Sequence, residues 1–156
     1  MNEFEIKTQV KSYSYDELSA TDRQLVDAAR GMTAKSYAPY SHFHVGAAIL
    51  LSNGEIITGA NQENAAFPSG TCAERSAAFY AHSQYPDAQF EAIAIAASDA
   101  NGELHNPISP CGACRQSLLE FETLAKTDVR VLLASRDRIF ILKSIKSLLP
   151  LAFSEF

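Results

Sequence analysis

The sequence predicts an α/β fold in which helices cover both faces of a mixed β-sheet. Short apolar runs typical of buried strands alternate along the chain with stretches that have helical spacing. An Asn-Gly pair between two of these runs favours an antiparallel hairpin. The predicted order is strand, strand, helix, strand, helix, strand, strand, with one helix before and one after. This order gives a mixed sheet with helices on both sides.

The chain begins with an extension, residues 1–20, and a single domain is predicted over residues 21–156. Apolar or β-branched side chains alternate with polar ones in the extension, which leaves an edge strand and a frayed tail equally open. The alternating residues are Phe4, Ile6, Thr8 and Val10. The domain begins with a helix predicted over residues 21–36 and capped by Thr21 or Asp22. Its apolar face is expected to consist of Leu25, Ala28, Ala29 and Met32, with Lys35 at the edge.

A hairpin and a polar quartet follow the first helix. Residues 44–51 form an apolar strand, Asn53-Gly54 turns the chain, and residues 55–60 return as a second strand. The quartet Asn61-Gln62-Glu63-Asn64 comes directly after this strand. Polar residues at the end of a strand lie where α/β proteins place ligand contacts.

The rest of the chain alternates helices and strands. The second helix begins at or near Cys72, and Pro110 stands at the entry of the third helix, where proline is tolerated. The predicted strands cover residues 92–97, 129–134 and 138–142, and a short last helix covers residues 144–149.

Composition is that of one ordinary globular domain. The 156 residues are 47% hydrophobic and 20% charged, with a net charge of −5. Because phosphate neutralisation needs clustered Lys and Arg, this balance argues against a nucleic acid polymer and favours a small-molecule substrate. No apolar run approaches the ~18 residues of a membrane span, so no membrane partner is expected. A polar N-terminus and three thiols without an export signal predict a reducing cytoplasm.

All three cysteines lie in two short motifs, Cys72-Ala73-Glu74-Arg75 and Pro110-Cys111-Gly112-Ala113-Cys114. Three sulfur ligands leave one of four tetrahedral zinc positions open, as in catalytic sites. Zinc lowers the pKa of water in that position toward ~7. Glu74 stands two residues after Cys72, close enough to exchange protons with this water. Cys-x-Glu followed by Pro-Cys-x-x-Cys is an established signature of zinc deaminases.

Each motif taken alone has a simpler explanation. An isolated Cys-x-x-Cys is more often redox-active or structural, and Arg75 alone fits a surface salt bridge. A structural zinc site would need a fourth Cys or His ligand. No fourth cysteine exists, and the four histidines stand alone without ligand spacing: His42, His44, His82 and His105. The two motifs together therefore favour catalytic zinc.

The negative charge of such a site must be partly neutralised by nearby positive groups. Three thiolates on a divalent ion give a net charge of −1, which weakens the metal as a Lewis acid. Two helix N-termini and Arg75 supply positive charge, and Cys111 and Cys114 share one helix face. Glu74 would move a proton from water to a substrate ring nitrogen and then to the departing amine, which is worth roughly 10²–10⁴-fold in rate.

Five motifs occur in a fixed order over roughly three quarters of the chain, from Tyr37 to Phe153. They are Tyr37-Ala38-Pro39-Tyr40-Ser41-His42-Phe43-His44-Val45-Gly46-Ala47-Ala48, Asn61-Gln62-Glu63-Asn64-Ala65-Ala66, Cys72-Ala73-Glu74-Arg75, Pro110-Cys111-Gly112-Ala113-Cys114-Arg115-Gln116 and Leu148-Leu149-Pro150. This set resembles the cytidine deaminases of the small type, whose zinc ligands are all cysteines.

The resemblance implies a three-layer α/β/α sandwich with a mixed five-stranded sheet. It implies hydrolysis of cytidine and deoxycytidine to uridine and deoxyuridine with release of ammonia, a step of pyrimidine salvage. One zinc ion per subunit would be held by Cys72, Cys111 and Cys114. Glu74 resembles the proton shuttle, and Arg75 resembles the residue that tempers the thiolate charge.

The resemblance also implies the substrate contacts. Asn61 and Glu63 resemble the pair that hydrogen-bonds the ribose 3′-hydroxyl, and Phe43 resembles the aromatic near the pyrimidine. The backbone N–H of Ala73 resembles the donor to the base carbonyl. Small members of the family are homotetramers with shared active sites, and Phe153 resembles the aromatic contributed by a neighbouring subunit. Plain core packing is the alternative for Phe43 and Phe153.

The chain departs from the pattern in three places. Residues 1–20 precede the usual start, Phe67 stands where many relatives carry tyrosine, and the chain ends at Phe156, just after Phe153. Two other functions stay open. The first is a deaminase of a modified cytosine nucleoside such as blasticidin S, although such proteins typically lack the polar quartet and Arg75. The second is a non-catalytic zinc or thiol module.

Overall fold

A mixed sheet of seven strands forms the centre of the protein in the computed structural model, which describes residues 1–154. The strands are β1 (Lys11–Tyr13), β2 (His44–Leu51), β3 (Ile56–Ala60), β4 (Phe90–Asp99), β5 (Gly102–Glu103), β6 (Arg130–Ala134) and β7 (Ile139–Leu142). The helices are α1 (Ala20–Thr33), α2 (Ala73–Gln84) and α3 (Gly112–Ala125). None of the helices within residues 1–154 has the length and apolar character that crossing a lipid bilayer requires.

The strands lie in the order β1-β7-β6-β4-β2-β3, and β5 pairs with the end of β4. Strands β4 and β6 run parallel and are joined through α3, whereas the other neighbouring pairs are antiparallel. The mixed sheet is therefore confirmed. The five predicted strands are β2, β3, β4, β6 and β7. The two additional strands, β1 and β5, have three and two residues, too few for a periodic pattern to predict them.

Helices cover the sheet on both faces, as predicted. Alternate residues of β4 separate the two cores, because successive side chains of a strand point to opposite faces. Ala92, Ala94 and Ala96 pack on the side of α1, in a core with Leu25 and Val26. The β4 residues between them, Ile93 and Ile95, pack beneath α2 and α3. They belong to a larger core that includes Ala77 and Leu118.

Two local predictions were wrong in detail, the cap of the first helix and the last helix, and the structure excludes a strand at residues 4–10, which was one of two alternatives left open. The first helix is capped by Ser19, whose hydroxyl accepts a hydrogen bond from the N–H of Asp22. The Asp22 carboxylate is not available as a cap because it pairs with Arg130 at 2.8 Å. The alternating residues 4–10 form no strand, and the edge strand is Lys11–Tyr13 instead. The last helix is a single 3₁₀ turn, Ile145–Leu148.

Glycines let two helices lie unusually close to the sheet. A Cβ atom at Gly59 of β3 would lie 2.5 Å from the Ala77 nitrogen and 2.7 Å from the Ala73 oxygen, both in α2. A Cβ atom at Gly46 of β2 would meet the Ala29 carbonyl of α1 in the same way. The close approach at Gly59 sets the position of the helix that begins after Cys72.

Candidate metal centre

The three cysteine sulfurs meet at the N-termini of two neighbouring helices. Cys72 occupies the N-cap position of α2, Cys111 occupies that of α3, and Cys114 lies in the first turn of α3. The three Sγ atoms all lie within 4.8 Å of one another, and those of Cys72 and Cys111 are 3.9 Å apart. Residues separated by 39 positions in sequence are therefore brought together, as the helix-terminus argument predicted.

The thiol cluster fits a tetrahedral zinc ion. Zinc–sulfur bonds are about 2.3 Å long, so two thiolates on one tetrahedral ion lie about 3.8 Å apart. The 3.9 Å between Cys72 and Cys111 matches this spacing. All three cysteines lie in the described part of the chain and all are free thiols rather than disulfides. Burial decreases from Cys114 through Cys72 to Cys111, so the cluster opens to solvent on one side.

The thiols differ in how readily they ionise. A hydrogen bond from Cys114 lowers the pKa of Cys72 to about 5, with further help from Arg75. The same hydrogen bond, together with burial, raises the pKa of Cys114. Within this pair, the thiolate form is therefore favoured at Cys72 and disfavoured at Cys114.

Arg75 lies against the cluster, as predicted. Its Nη2 atom donates to the Sγ of Cys72 at 3.8 Å, and hydrogen bonds to Cys72 and Cys114 raise the pKa of the guanidinium. Its Nε atom is buried and has no hydrogen-bond partner among residues 1–154. The Nη2 atom therefore contacts a thiol and not a carboxylate, which argues against the alternative of a simple surface salt bridge.

Glu74 is buried directly beside the cluster. Its exposed fraction is 4%, although it stands in the first turn of α2. Burial raises the pKa of the carboxyl, and the negative charge of Cys72 adds to this effect. A buried carboxyl with a raised pKa next to a metal-ligand cluster is typical of a group that gives and takes protons.

A cavity of about 420 Å³ adjoins the cluster, a size suited to a small molecule. Cys72 and Arg75 line one side, and the polar quartet of residues 61–64 lines another. Tyr40 and Phe67 add aromatic surface, with their rings in edge-to-face contact at 5.7 Å. The quartet thus lies next to the thiol cluster, where the end of β3 meets the beginning of α2.

The two polar residues predicted to bind a sugar are already held by the loop before β2. The Asn61 amide donates to the Phe43 carbonyl at 2.9 Å and accepts from the Val45 N–H at 2.8 Å. The Glu63 carboxylate accepts from the N–H groups of Tyr40 and Ser41, at 2.9 and 3.2 Å. These bonds connect the end of β3 to the beginning of β2.

The other predicted substrate contacts occupy different surroundings. Ala73 is the buried first residue of α2, where a helix leaves its backbone N–H without an intrahelical partner. Phe43 is half-buried just before β2, and its carbonyl accepts a hydrogen bond from Asn61. Phe153 lies elsewhere, along a separate cavity of about 440 Å³ on the outer side of α2 and α3, with Phe79 and Phe121.

A family model described as the cytidine and deoxycytidylate deaminase zinc-binding region matches residues 19–128. This segment contains all three cysteines of the cluster and Glu74. The chain belongs to the cytidine and deoxycytidylate deaminase family.

Named relatives of this deaminase-family chain agree in sequence and in fold. A curated cytidine deaminase of Halalkalibacterium halodurans is 39% identical over 134 residues, which cover 85% of this chain and 95% of that protein. The crystal structure of a cytidine deaminase from Burkholderia pseudomallei matches with a TM-score of 0.70 and 38% identity, over 87% of this chain and all of the other. A cytidine deaminase structure from Mycobacterium tuberculosis matches with a TM-score of 0.65 and 30% identity, over 88% and 100% of the two chains. The predicted fold class and family are confirmed.

Sequence reasoning missed two side chains that brace this deaminase-family site. Arg115 follows Cys114 directly and donates to the carbonyls of Pro110 and Leu148, at 2.8 and 2.9 Å. Ser41 contacts Glu63 across 22 positions of sequence. The position of Arg115 inside the cysteine motif was an available signal, but nothing in the local pattern around Ser41 indicates its partner.

A third residue that the sequence analysis missed is Glu122 on α3. Its buried carboxylate accepts hydrogen bonds from the backbone N–H groups of Val129, Ile145 and Lys146, at 2.9, 2.7 and 3.1 Å. The available signal was its spacing. Glu122 lies four residues after Leu118 and three before Ala125, so an acidic residue falls on the apolar face of the helix. Glu122 fixes the far end of α3 to the segments on both sides of the β6–β7 hairpin.

Proposed function

We propose that this chain hydrolyses cytidine and deoxycytidine to uridine and deoxyuridine, with release of ammonia. The observation that carries the proposal is the cluster of Cys72, Cys111 and Cys114 with the buried Glu74 beside it. The names of its relatives support the same reaction. One zinc ion per subunit is the proposed cofactor, since three thiolates at this spacing suit tetrahedral zinc.

The chemistry divides between the metal and the chain. Zinc, when bound by the three cysteines, supplies Lewis acidity that makes hydroxide available near neutral pH. Glu74 takes a proton from water and gives it to N3 of the pyrimidine, and the C4–O bond forms as water adds. Glu74 then takes the proton of the new C4 hydroxyl and gives it to the amine, as the C4–N bond breaks and the C4 carbonyl forms. The raised pKa of Glu74 suits this role, because a group that works near neutral pH must hold and release a proton there.

The adjoining cavity is the proposed nucleoside site. Asn61 and Glu63 would bind the sugar 3′-hydroxyl, Phe43 would contact the pyrimidine, and the free backbone N–H of Ala73 would donate to the base carbonyl. Glu63 is anionic and would repel a 3′-phosphate, which supports a free nucleoside over a nucleotide or a polynucleotide. Arg75 would offset the charge of the three thiolates.

The decisive experiment compares wild type with Glu74→Gln. We expect cytidine turnover, followed by the fall in ultraviolet absorbance, to decrease roughly 10²–10⁴-fold, while elemental analysis finds the same zinc content per subunit. Glu91→Gln, an exposed carboxylate on β4, is the matched control and should turn over cytidine like wild type. Full turnover in Glu74→Gln, or a wild type without metal, would contradict the proposal and favour a non-catalytic zinc or thiol module.

Substrate class is tested on the wild-type protein alone. Ammonia release is measured with cytidine, deoxycytidine, blasticidin S, cytidine monophosphate and single-stranded DNA. We expect release from the two nucleosides only. Release from blasticidin S without release from cytidine would assign the chain to the antibiotic deaminases instead.

The oligomeric state, the cellular location and the domain organisation are also proposed, from the family and the sequence. We infer a homotetramer in which Phe153 completes the pocket of a neighbouring subunit, as in the small deaminases that the chain resembles. A cytoplasmic role in pyrimidine salvage fits the three reduced thiols. Residues 1–20 are proposed to be an extension to the catalytic domain at residues 21–156.

A further inference from the structure

The loop before β2 holds the Glu63 carboxylate with three donors. Oε2 accepts from the backbone N–H groups of Tyr40 and Ser41, at 2.9 and 3.2 Å. Oε1 accepts from the hydroxyl of Ser41 in a short hydrogen bond. One residue therefore contacts both oxygens of the carboxylate, through its main chain on one and its side chain on the other.

The Ser41 hydroxyl also accepts a hydrogen bond from the N–H of Phe43 at 3.1 Å. This bond spans His42, which has a left-handed backbone with φ of 54°. A non-glycine residue in that region costs free energy and persists where the surroundings hold it. The His42 N–H bond to the Ala38 carbonyl, at 3.0 Å, helps to hold it here. The loop is thus fixed in one conformation around the Ser41 side chain.

We propose that Ser41 is a positioning residue that orients the Glu63 carboxylate toward the sugar 3′-hydroxyl of the nucleoside. The inference rests on the proposed function, since it takes the cavity beside Cys72 as the nucleoside site. Neither the cysteine motifs nor the spacing of the polar quartet assigns a role to Ser41.

The count of lone pairs explains why orientation matters. An ionised carboxylate offers about four acceptor positions on its two oxygens. The loop fills two on Oε2 and one on Oε1, which leaves one position on Oε1 for a ligand hydroxyl. Without the Ser41 hydroxyl, Oε2 keeps its two backbone N–H donors but Oε1 loses its donor from the loop, so the ligand must order that oxygen itself.

The charge of Glu63 follows the same contacts. The hydrogen bond from Ser41 is the largest effect that lowers the pKa of the Glu63 carboxyl, followed by the two backbone N–H bonds and the nearby His42. An acceptor that stays ionised gives a stronger hydrogen bond to a hydroxyl than a neutral one does. Ser41 thus favours the charged form of Glu63 as well as its direction.

The test compares cytidine with 3′-deoxycytidine, which lacks the hydroxyl that Glu63 would bind. For Ser41→Ala we expect KM for cytidine to rise about fivefold with kcat within about twofold of wild type, the size of one ordinary net hydrogen bond. KM for 3′-deoxycytidine should change less than about twofold. Calorimetric binding of uridine and 3′-deoxyuridine should repeat the same contrast without turnover.

Two further variants separate positioning from general damage. Ser41→Thr keeps a hydroxyl and should restore KM for cytidine to within about twofold of wild type. Adding Ser41→Ala to Glu63→Gln should raise KM less than the same change does in wild type, because residues that act through one another are not additive. Thermal unfolding of each variant identifies loss of fold, and Ser41 is exposed enough for Ser41→Thr to fold normally.

The outcomes are distinct. Equal losses on both nucleosides, no loss on either, or full additivity with Glu63→Gln would overturn the role of Ser41. A wild type that deaminates neither nucleoside would overturn the proposed function instead.

Discussion

At the scale of single residues, Arg75 brings a positive charge against the thiol cluster. Three thiolates outweigh the charge of a divalent ion, and the Arg75 guanidinium donates to Cys72 from a position next to Cys114. A hydrogen bond from a cation draws electron density from the sulfur, so a metal bound there keeps more of its Lewis acidity. We therefore expect Arg75 to act on a bound metal through its cysteine ligands.

For Arg75→Gln we expect kcat/KM for cytidine to fall about tenfold, near the lower end of the range for one charge-assisted hydrogen bond, with the zinc content unchanged. Steady-state kinetics and elemental analysis measure the two quantities. Arg138→Gln, in the exposed turn between β6 and β7, is the matched control and should behave like wild type. Unchanged kinetics in Arg75→Gln would show that the charge argument is wrong.

Residues inside the cysteine motifs could be predicted from sequence, whereas their distant partners could not. Cys111 and Cys114 are three positions apart at the start of one helix, so spacing alone places their side chains on one face. Ser41 and Glu63 meet only because β2 and β3 are antiparallel neighbours, which brings the loop before β2 to the end of β3. Such a contact depends on strand register and has no local signal.

At the scale of secondary-structure elements, the position of α2 depends on Gly59. The glycine lies beneath the first turns of the helix that begins after Cys72, and its missing side chain lets the two backbones approach. Backbone atoms cannot move aside as flexible side chains can, so a methyl group there must displace the helix.

For Gly59→Ala we expect a loss of about 2 kcal/mol in stability, seen as a melting temperature lower by roughly 5 °C, and a reduced zinc content. Thermal unfolding and elemental analysis check both. Gly31→Ala is the matched control, because a Cβ atom there meets nothing within 4 Å and alanine favours the helix α1. A Gly59→Ala protein with wild-type melting and full zinc would refute the role of this close approach.

Glu122 fixes the other end of the helix that carries Cys114. Its carboxylate satisfies three backbone N–H groups in a buried place, and loss of the acceptor leaves those donors without a partner. For Glu122→Ala we expect a loss of about 3 kcal/mol, or roughly 10 °C in melting temperature. Glu91→Ala, exposed on β4, should melt within about 2 °C of wild type. Equal melting of the two variants would contradict a structural role for Glu122.

Elements with long periodic patterns were predicted within a few residues, and short ones were not. Strand β2 begins and ends where the apolar run predicts, at His44 and Leu51. The cap of α1 was predicted at Thr21 or Asp22 but is Ser19, and the Asp22 carboxylate pairs instead with the distant Arg130. Tertiary contacts of this kind override local preference.

The whole molecule presents an apolar face on the outer side of α2 and α3. It consists of Phe79, Phe121, Leu124 and Phe153, and three of them are more than half exposed: Phe79, Leu124 and Phe153. Large exposed apolar side chains grouped on one face are typical of protein interfaces. The sequence alone could not identify this face. An aromatic residue on a helix is normally assigned to the core, and only the fold shows which side of the helix packs on the sheet.

We expect this face to be an interface of the proposed homotetramer, so Phe79→Glu should break the assembly. A carboxylate placed there would lose its water on association, which disfavours the assembled state. Light scattering after size exclusion should give about 68 kDa for wild type, four times the 17.0 kDa chain, and a smaller mass for the variant. Turnover of cytidine should fall with the mass, since Phe153 is proposed to complete a neighbouring pocket. Phe4→Glu, an equally large change at an exposed aromatic outside this face, is the control and should leave both mass and turnover unchanged. A variant that keeps the wild-type mass would show that the tetramer uses another surface, and a fully active 17.0 kDa variant would show that each pocket is complete within one chain.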